Sequence, residues 1–137
     1  MVMLYRWTNA AGEGLPRRPA TMCHDVTGLA DWMVDGYSDV LWEIEPGQKD
    51  GVIGIDRDRD FGYLVPVYGF ESQRRIETWT EETRKDLIER WGGYPPSQAY
   101  MVALEAVGGD ASLAAYDNAV RAALRRMNDD IRKIIGR

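Results

Sequence analysis

Asp56-Arg57-Asp58-Arg59-Asp60 sets three carboxylates at alternate positions. The first half of an EF-hand loop uses this spacing to bring several hard oxygen ligands round a calcium ion. Such a loop also requires glycine at its sixth place and a bidentate glutamate at its twelfth, which here hold Phe61 and Val67. The interleaved arginines cancel much of the charge a cation needs, so the run reads as a solvated, self-paired loop. Cys23 and His24 are adjacent, but they are the one cysteine and the one histidine of the chain, too few for a tetrahedral zinc site. Neighbouring side chains rarely aim at one another, which argues against a Cys/His nucleophile pair. Gly36-Tyr37-Ser38-Asp39-Val40 lacks the closing glycine of a nucleophile elbow. Neither Gly12-Glu13-Gly14 nor the stretch from Gly51 to Gly54 matches a phosphate-binding loop or a dinucleotide fingerprint.

The frame that would position such residues is one domain. The 137 residues, 45% hydrophobic and 28% charged, suit a single globular unit over 1–137 that needs no disulfide or metal staple. No apolar run approaches the roughly 20 residues of a membrane span. Met1 to Trp7 lacks a basic start followed by an apolar signal core, so a cytoplasmic protein is expected. The formal charge of -5 is unevenly spread, because residues 23–60 hold ten acidic side chains against three basic ones. That centre repels a phosphate backbone, and Asp117, Asp129 and Asp130 dilute the basic residues after Asp110, which disfavours nucleic acid as a partner.

The pattern predicts an α+β fold: an N-terminal antiparallel sheet with one short helix over 1–79, then a helical part over 80–137 ending in one long helix. Strands are expected at Val2–Trp7, Val40–Glu45, Val52–Ile55, Phe61–Tyr68 and within Ser72–Trp79, from their β-branched and aromatic content and bounding turn residues. Pro66 cannot donate to a ladder and argues for an edge or a bulge. A short helix near 27–35 is expected, capped by Asp25 or Thr27 and stopped by Gly36. Thr80 caps a second helix ending at Gly92-Gly93. Ala99–Leu104 is apolar all round and predicts an enclosed helix. The last helix, about 111–135, would run roughly 37 Å at ~1.5 Å per residue and project from a domain this small. It carries Val120, Leu124, Met127, Ile131 and Ile134 at steps of four and three. That stripe suits either a homodimer or packing on the helix near 97–107 of the same chain.

Tyr5-Arg6-Trp7-Thr8 resembles the opening motif of the ADP-ribosyltransferase fold, an aromatic-Arg-x-Ser/Thr stretch that binds NAD. Ala20-Thr21-Met22, the expected helix after it, the strand at Val40 and Gly62-Tyr63-Leu64-Val65-Pro66 follow in a similar order. The resemblance covers residues 2–70. It implies NAD as substrate, with Arg6 on its phosphates, Thr8 and Thr21 shaping the nicotinamide pocket, and Tyr63 stacking on the ring. The family's catalytic glutamate steadies positive charge as nicotinamide departs, but Gly62 stands in its place. Asp60, two residues earlier on the same strand face, is the expected substitute, and Glu43, Glu45 and Glu71 are the other carboxylates in range. The alternative is a non-catalytic inhibitor or regulator that binds a protein partner through its aromatic residues, or a small-molecule sequestering protein. In either case it would self-associate through its C-terminal helices.

Overall fold

The computed structural model describes residues 3–10, 21–46, 65–67, 70–109 and 112–137. It is α+β: a sheet-rich N-terminal part is followed by three helices, the last of them long. Strands β1 (Leu4–Thr8), β3 (Val40–Pro46) and β5 (Phe70–Arg75) form an antiparallel sheet in the order β1-β3-β5. Strands β2 (Thr21–Cys23) and β4 (Val65–Val67) pair antiparallel beside it. A single bridge between Tyr5 and His24 ties the end of β2 to β1. Pro66 lies in β4, opposite Met22. The stretches 52–55 and 61–64, expected as strand, lie outside the described residues.

Side chains on a strand alternate between faces, and directly opposed residues share one. Leu4, Arg6 and Thr8 therefore stand with Ile44, Trp42 and Val40, while Tyr5 and Trp7 stand with Glu43 and Leu41. Leu4, Ile44 and Cys23 form a small buried cluster with Trp42 on the first face. On the second face, Tyr5, Trp7 and Leu41 join the main core with Leu29, Met33, Leu87, Ala99, Ala103, Leu124 and Ile131. Indole N–H groups lock this packing: Trp7 donates to Leu29 O and Trp79 to Ser38 O, each at 2.9 Å. The two rings meet edge to face at 4.9 Å.

The helices follow their local signals. Helix α1 (Glu81–Trp91) starts at Thr80, whose hydroxyl accepts from Thr83 N, and ends at Gly92 in the left-handed region at φ 82°. Helix α2 (Ser97–Val107) buries Ala99 and Ala103 but exposes Tyr100, Met101 and Leu104, with Met101 60% open. An all-apolar composition predicts enclosure, yet the structure covers only the alanine face, because α2 packs on one side alone. Helix α3 (Leu113–Ile135) is capped by Ser112. Its stripe of Val120, Leu124, Met127 and Ile131 is buried in the core of its own chain, with Ile134 packed against it. A homodimer through that stripe would have to open the fold. Buried side chains run along the helix from Val120 to Ile135, while Leu113 at its start is 82% exposed.

A charged knot sits within the core face of the sheet. Glu43 is only 1% exposed and accepts from Tyr5 OH at 3.0 Å, Arg74 Nε at 2.8 Å and Arg137 Nε at 2.5 Å. These donors hold its carboxyl down at about 2, the hydrogen bond from Arg137 contributing most. Burial, reinforced by the charge of Glu43, pushes the Tyr5 phenol up to about 12. Because the pKa of Glu43 is lowered, its stabilisation is present above its ordinary value of 4.5 and is lost as pH falls towards 2. Removing both cations while leaving the carboxylate buried is the severe case. The pair Arg74→Ala with Arg137→Ala is expected to cost about 2–3 kcal/mol, less than a fully buried pair because both guanidiniums touch water. Glu43→Gln is expected to cost less than that pair, and urea denaturation at neutral pH measures both.

Candidate functional site

Residues 25–31 do not form the α-helix expected near 27–35. They make a 3-10 turn over Val26–Gly28, capped by Asp25, whose Oδ1 accepts from Thr27 N at 3.0 Å and from Thr27 Oγ1 at 2.5 Å. The reason lies a hundred residues downstream. In a helix Ala30 N–H would donate to Val26 C=O. Instead the Asn128 side-chain amide stands between them: its Oδ1 accepts from Ala30 N at 3.1 Å, and its Nδ2 donates to Val26 O at 2.9 Å. Trp7 takes the carbonyl of Leu29 in the same segment. The turn is thus tied to α3 by Asn128 and to β1 by Trp7, which together satisfy Val26 C=O, Leu29 C=O and Ala30 N–H from outside.

This splice leaves a cleft of about 400 Å³ between the turn and α3. Thr27 and Asp31 line one wall, and Leu124 and Asn128 are set deeper. Arg121, Arg125, Asp129 and Arg132 line the other wall. The three arginines recur at steps of four and seven, which keeps them on one helix face beside the buried stripe. Arg121 pairs with Asp117 at 3.3 Å, and Arg132 donates to Arg137 O through Nε and a terminal nitrogen. Arg125 has no carboxylate partner among the described residues. Like charges four residues apart repel, and an anion placed between them relieves that repulsion while accepting from planar, forked donors.

Asp31 is half-buried in the turn wall and makes no ion pair or hydrogen bond with a described residue. Burial, and then the charge of Asp25, push its carboxyl up from 3.8 to about 7. A cleft lined by both polar and apolar groups, with a displaced carboxyl on one wall, is a usual form of a ligand site.

The residues expected from the sequence fall elsewhere. Arg6 and Thr8 stand on the sheet face away from the helices, and Thr8 Oγ1 accepts from Trp42 Nε1 at 2.9 Å. Thr21 opens β2, paired with Val67, but its side chain lies outside the described residues. Asp60 and Tyr63 lie outside them as well, as does the whole Asp56–Asp60 run. Of the other carboxylates, Glu43 stands on the opposite face from Arg6 with its oxygens occupied, so the two cannot share a pocket. Glu45 accepts from Ser72 Oγ at 3.3 Å, and the side chain of Glu71 is outside the described set. Cys23 and His24 are both buried. Burial holds the thiol up at about 12 and the imidazole down at about 4, so this pair stays neutral at ordinary pH. No group of three or more His, Cys, Asp or Glu side chains able to hold a metal ion occurs among the described residues. No described helix is long and apolar enough to cross a membrane.

Asn128, Asp31 and the arginine stripe were not singled out from the sequence. An amide four residues after Leu124 and three before Ile131, on the edge of an apolar stripe, is the signal that could have found the first. The arginines are hidden by counting charge along the chain, where Asp117, Asp129 and Asp130 offset them, and visible only round the helix. Comparison with family models, with curated proteins and with solved structures finds no match.

Asp31 gives this site a signature in stability. Because its pKa is raised, the folded chain holds more protons than the unfolded one between about 4 and 7, so its contribution falls as pH rises through that window. Asp31→Asn removes the penalty. Its melting temperature is expected to exceed the wild type's above about pH 7, with the gap closing near pH 4. Paired thermal melts across that range read the difference.

Proposed function

We propose that this protein binds a small anionic molecule, a phosphate or carboxylate compound, in the cleft between the 25–31 turn and α3. The observation that carries this reading is the alignment of Arg121, Arg125 and Arg132 on one wall of a cleft whose opposite wall is already fixed by Asn128 and Trp7. A preformed site loses little ordering entropy on binding. Leu124 offers an apolar contact, while Thr27 and Asp129 offer polar partners for hydroxyl or amine groups of the ligand. The role is that of a small-molecule sequestering or sensing protein.

NAD is the second ligand proposed, at a different place. The resemblance to ADP-ribosyltransferases implies Arg6, Thr8, Thr21 and Tyr63 as its contacts, and of these Arg6 and Thr8 share one sheet face, next to half-buried Trp42. Arg6→Ala would then abolish any thermal shift from NAD that Arg125→Ala leaves intact, and nicotinamide release would mark transfer.

Titration calorimetry with inorganic phosphate and a nucleoside monophosphate tests the cleft. Binding is expected, with Arg125→Ala weakening it roughly tenfold or more, as loss of one charged hydrogen-bond partner does. Unchanged affinity in that variant, or no binding of either anion to the wild type, would overturn the reading.

A further inference from the structure

We infer that the cleft takes up a proton together with its anion, the proton residing on the carboxyl of Asp31, so that anions are held in acid and released as pH rises. This rests on the anion-binding reading above and assigns its regulation. Asp31 lines the same cleft as Arg121, Arg125 and Arg132, yet no guanidinium pairs with it among the described residues. Arg121 is engaged by Asp117, Arg132 by a backbone carbonyl, and Arg125 is directed to no described carboxylate. Among the described residues, the charged groups around Asp31 are Asp25 on its own turn and Arg121, Arg125, Asp129 and Arg132 across the cleft on α3.

Asp25 cannot relieve the crowding by turning away, because its Oδ1 is fixed by both the backbone and the hydroxyl of Thr27. An ionised Asp31 would place negative charge against an incoming anion and raise the cost of binding. A protonated Asp31 has one O–H to donate and removes that repulsion. Its carboxyl titrates near 7, held there by burial and by Asp25. The single histidine, His24, titrates near 4 and Cys23 near 12, while the arginines keep their charge throughout. None of these confuses the range between.

Sulfate is the probe, because it remains a dianion where phosphate would change its own charge. Calorimetric titration at constant ionic strength, at about pH 6 and about pH 8.5, is expected to show affinity falling tenfold or more at the higher value. Asp31→Asn is expected to bind with little change between the two. Asp25→Asn keeps the cap but removes the neighbouring charge, and is expected to move the midpoint of the pH profile to lower pH. Sulfate binding that is equal at both pH values, or an Asp31→Asn profile like the wild type's, would overturn the proton coupling and leave the anion site standing. Absence of sulfate binding even at the lower pH would overturn both.

Discussion

The side-chain amide of Asn128, set between Val26 C=O and Ala30 N–H, is the interaction on which the rest of this structure turns. A buried backbone donor and acceptor must each find a partner, and a helix would have satisfied these two with one another. By taking both, Asn128 allows residues 25–31 to remain a tight turn, holds that turn to α3 and leaves a gap between them. Because the amide is itself buried, losing either bond strands a polar group away from water. The turn therefore has two fixed tethers, the second being the indole of Trp7, and the cleft beside it exists before any ligand arrives.

Two other sets of interior polar groups are paired in the same way. Glu43 enters the core face with its charge, but each oxygen is met by arginine and one also by the Tyr5 hydroxyl. This ties β3 to β1, to β5 and to Arg137, two residues beyond α3. Four of the five tryptophans use their N–H in the same way, Trp91 reaching Asp130 Oδ2 at 2.9 Å and Trp42 reaching Thr8. The tryptophans, which could have formed a docking face, are for the most part structural pins. Among the described residues, the large apolar side chains that remain open are Tyr100, Met101 and Leu104 of α2, Leu113 of α3, and Val34 and Tyr37 ahead of β3.

Where local chemistry decides, the sequence is legible. Thr80 and Gly92 bound α1 as capping rules require, and the apolar run at Val40 forms the central strand. The α+β order of sheet before helices follows from the change of period at Thr80. What was not legible depends on partners distant in sequence. The 25–35 segment carries a cap and a helical spacing of apolar residues, but Ala30 N–H and Val26 C=O bond to Asn128, 98 and 102 positions away. The stripe on α3 has coiled-coil spacing, which cannot distinguish a partner chain from the sheet and α2 of its own. Composition likewise could not show that α2 is covered on its alanine side only. The cleft drew on three features that sequence order disperses: one amide, one turn and arginines spread over twelve residues.

Hydrogen exchange at the amide of Ala30 tests the splice most directly. In the wild type that amide is expected to be protected, although it belongs to no helix or strand. In Asn128→Ala it is expected to exchange at least about tenfold faster, with Leu87 in α1 unchanged, as for loss of one local hydrogen bond without global unfolding. An Ala30 amide that exchanges freely in the wild type, or keeps its protection in the variant, would contradict the proposed origin of the cleft.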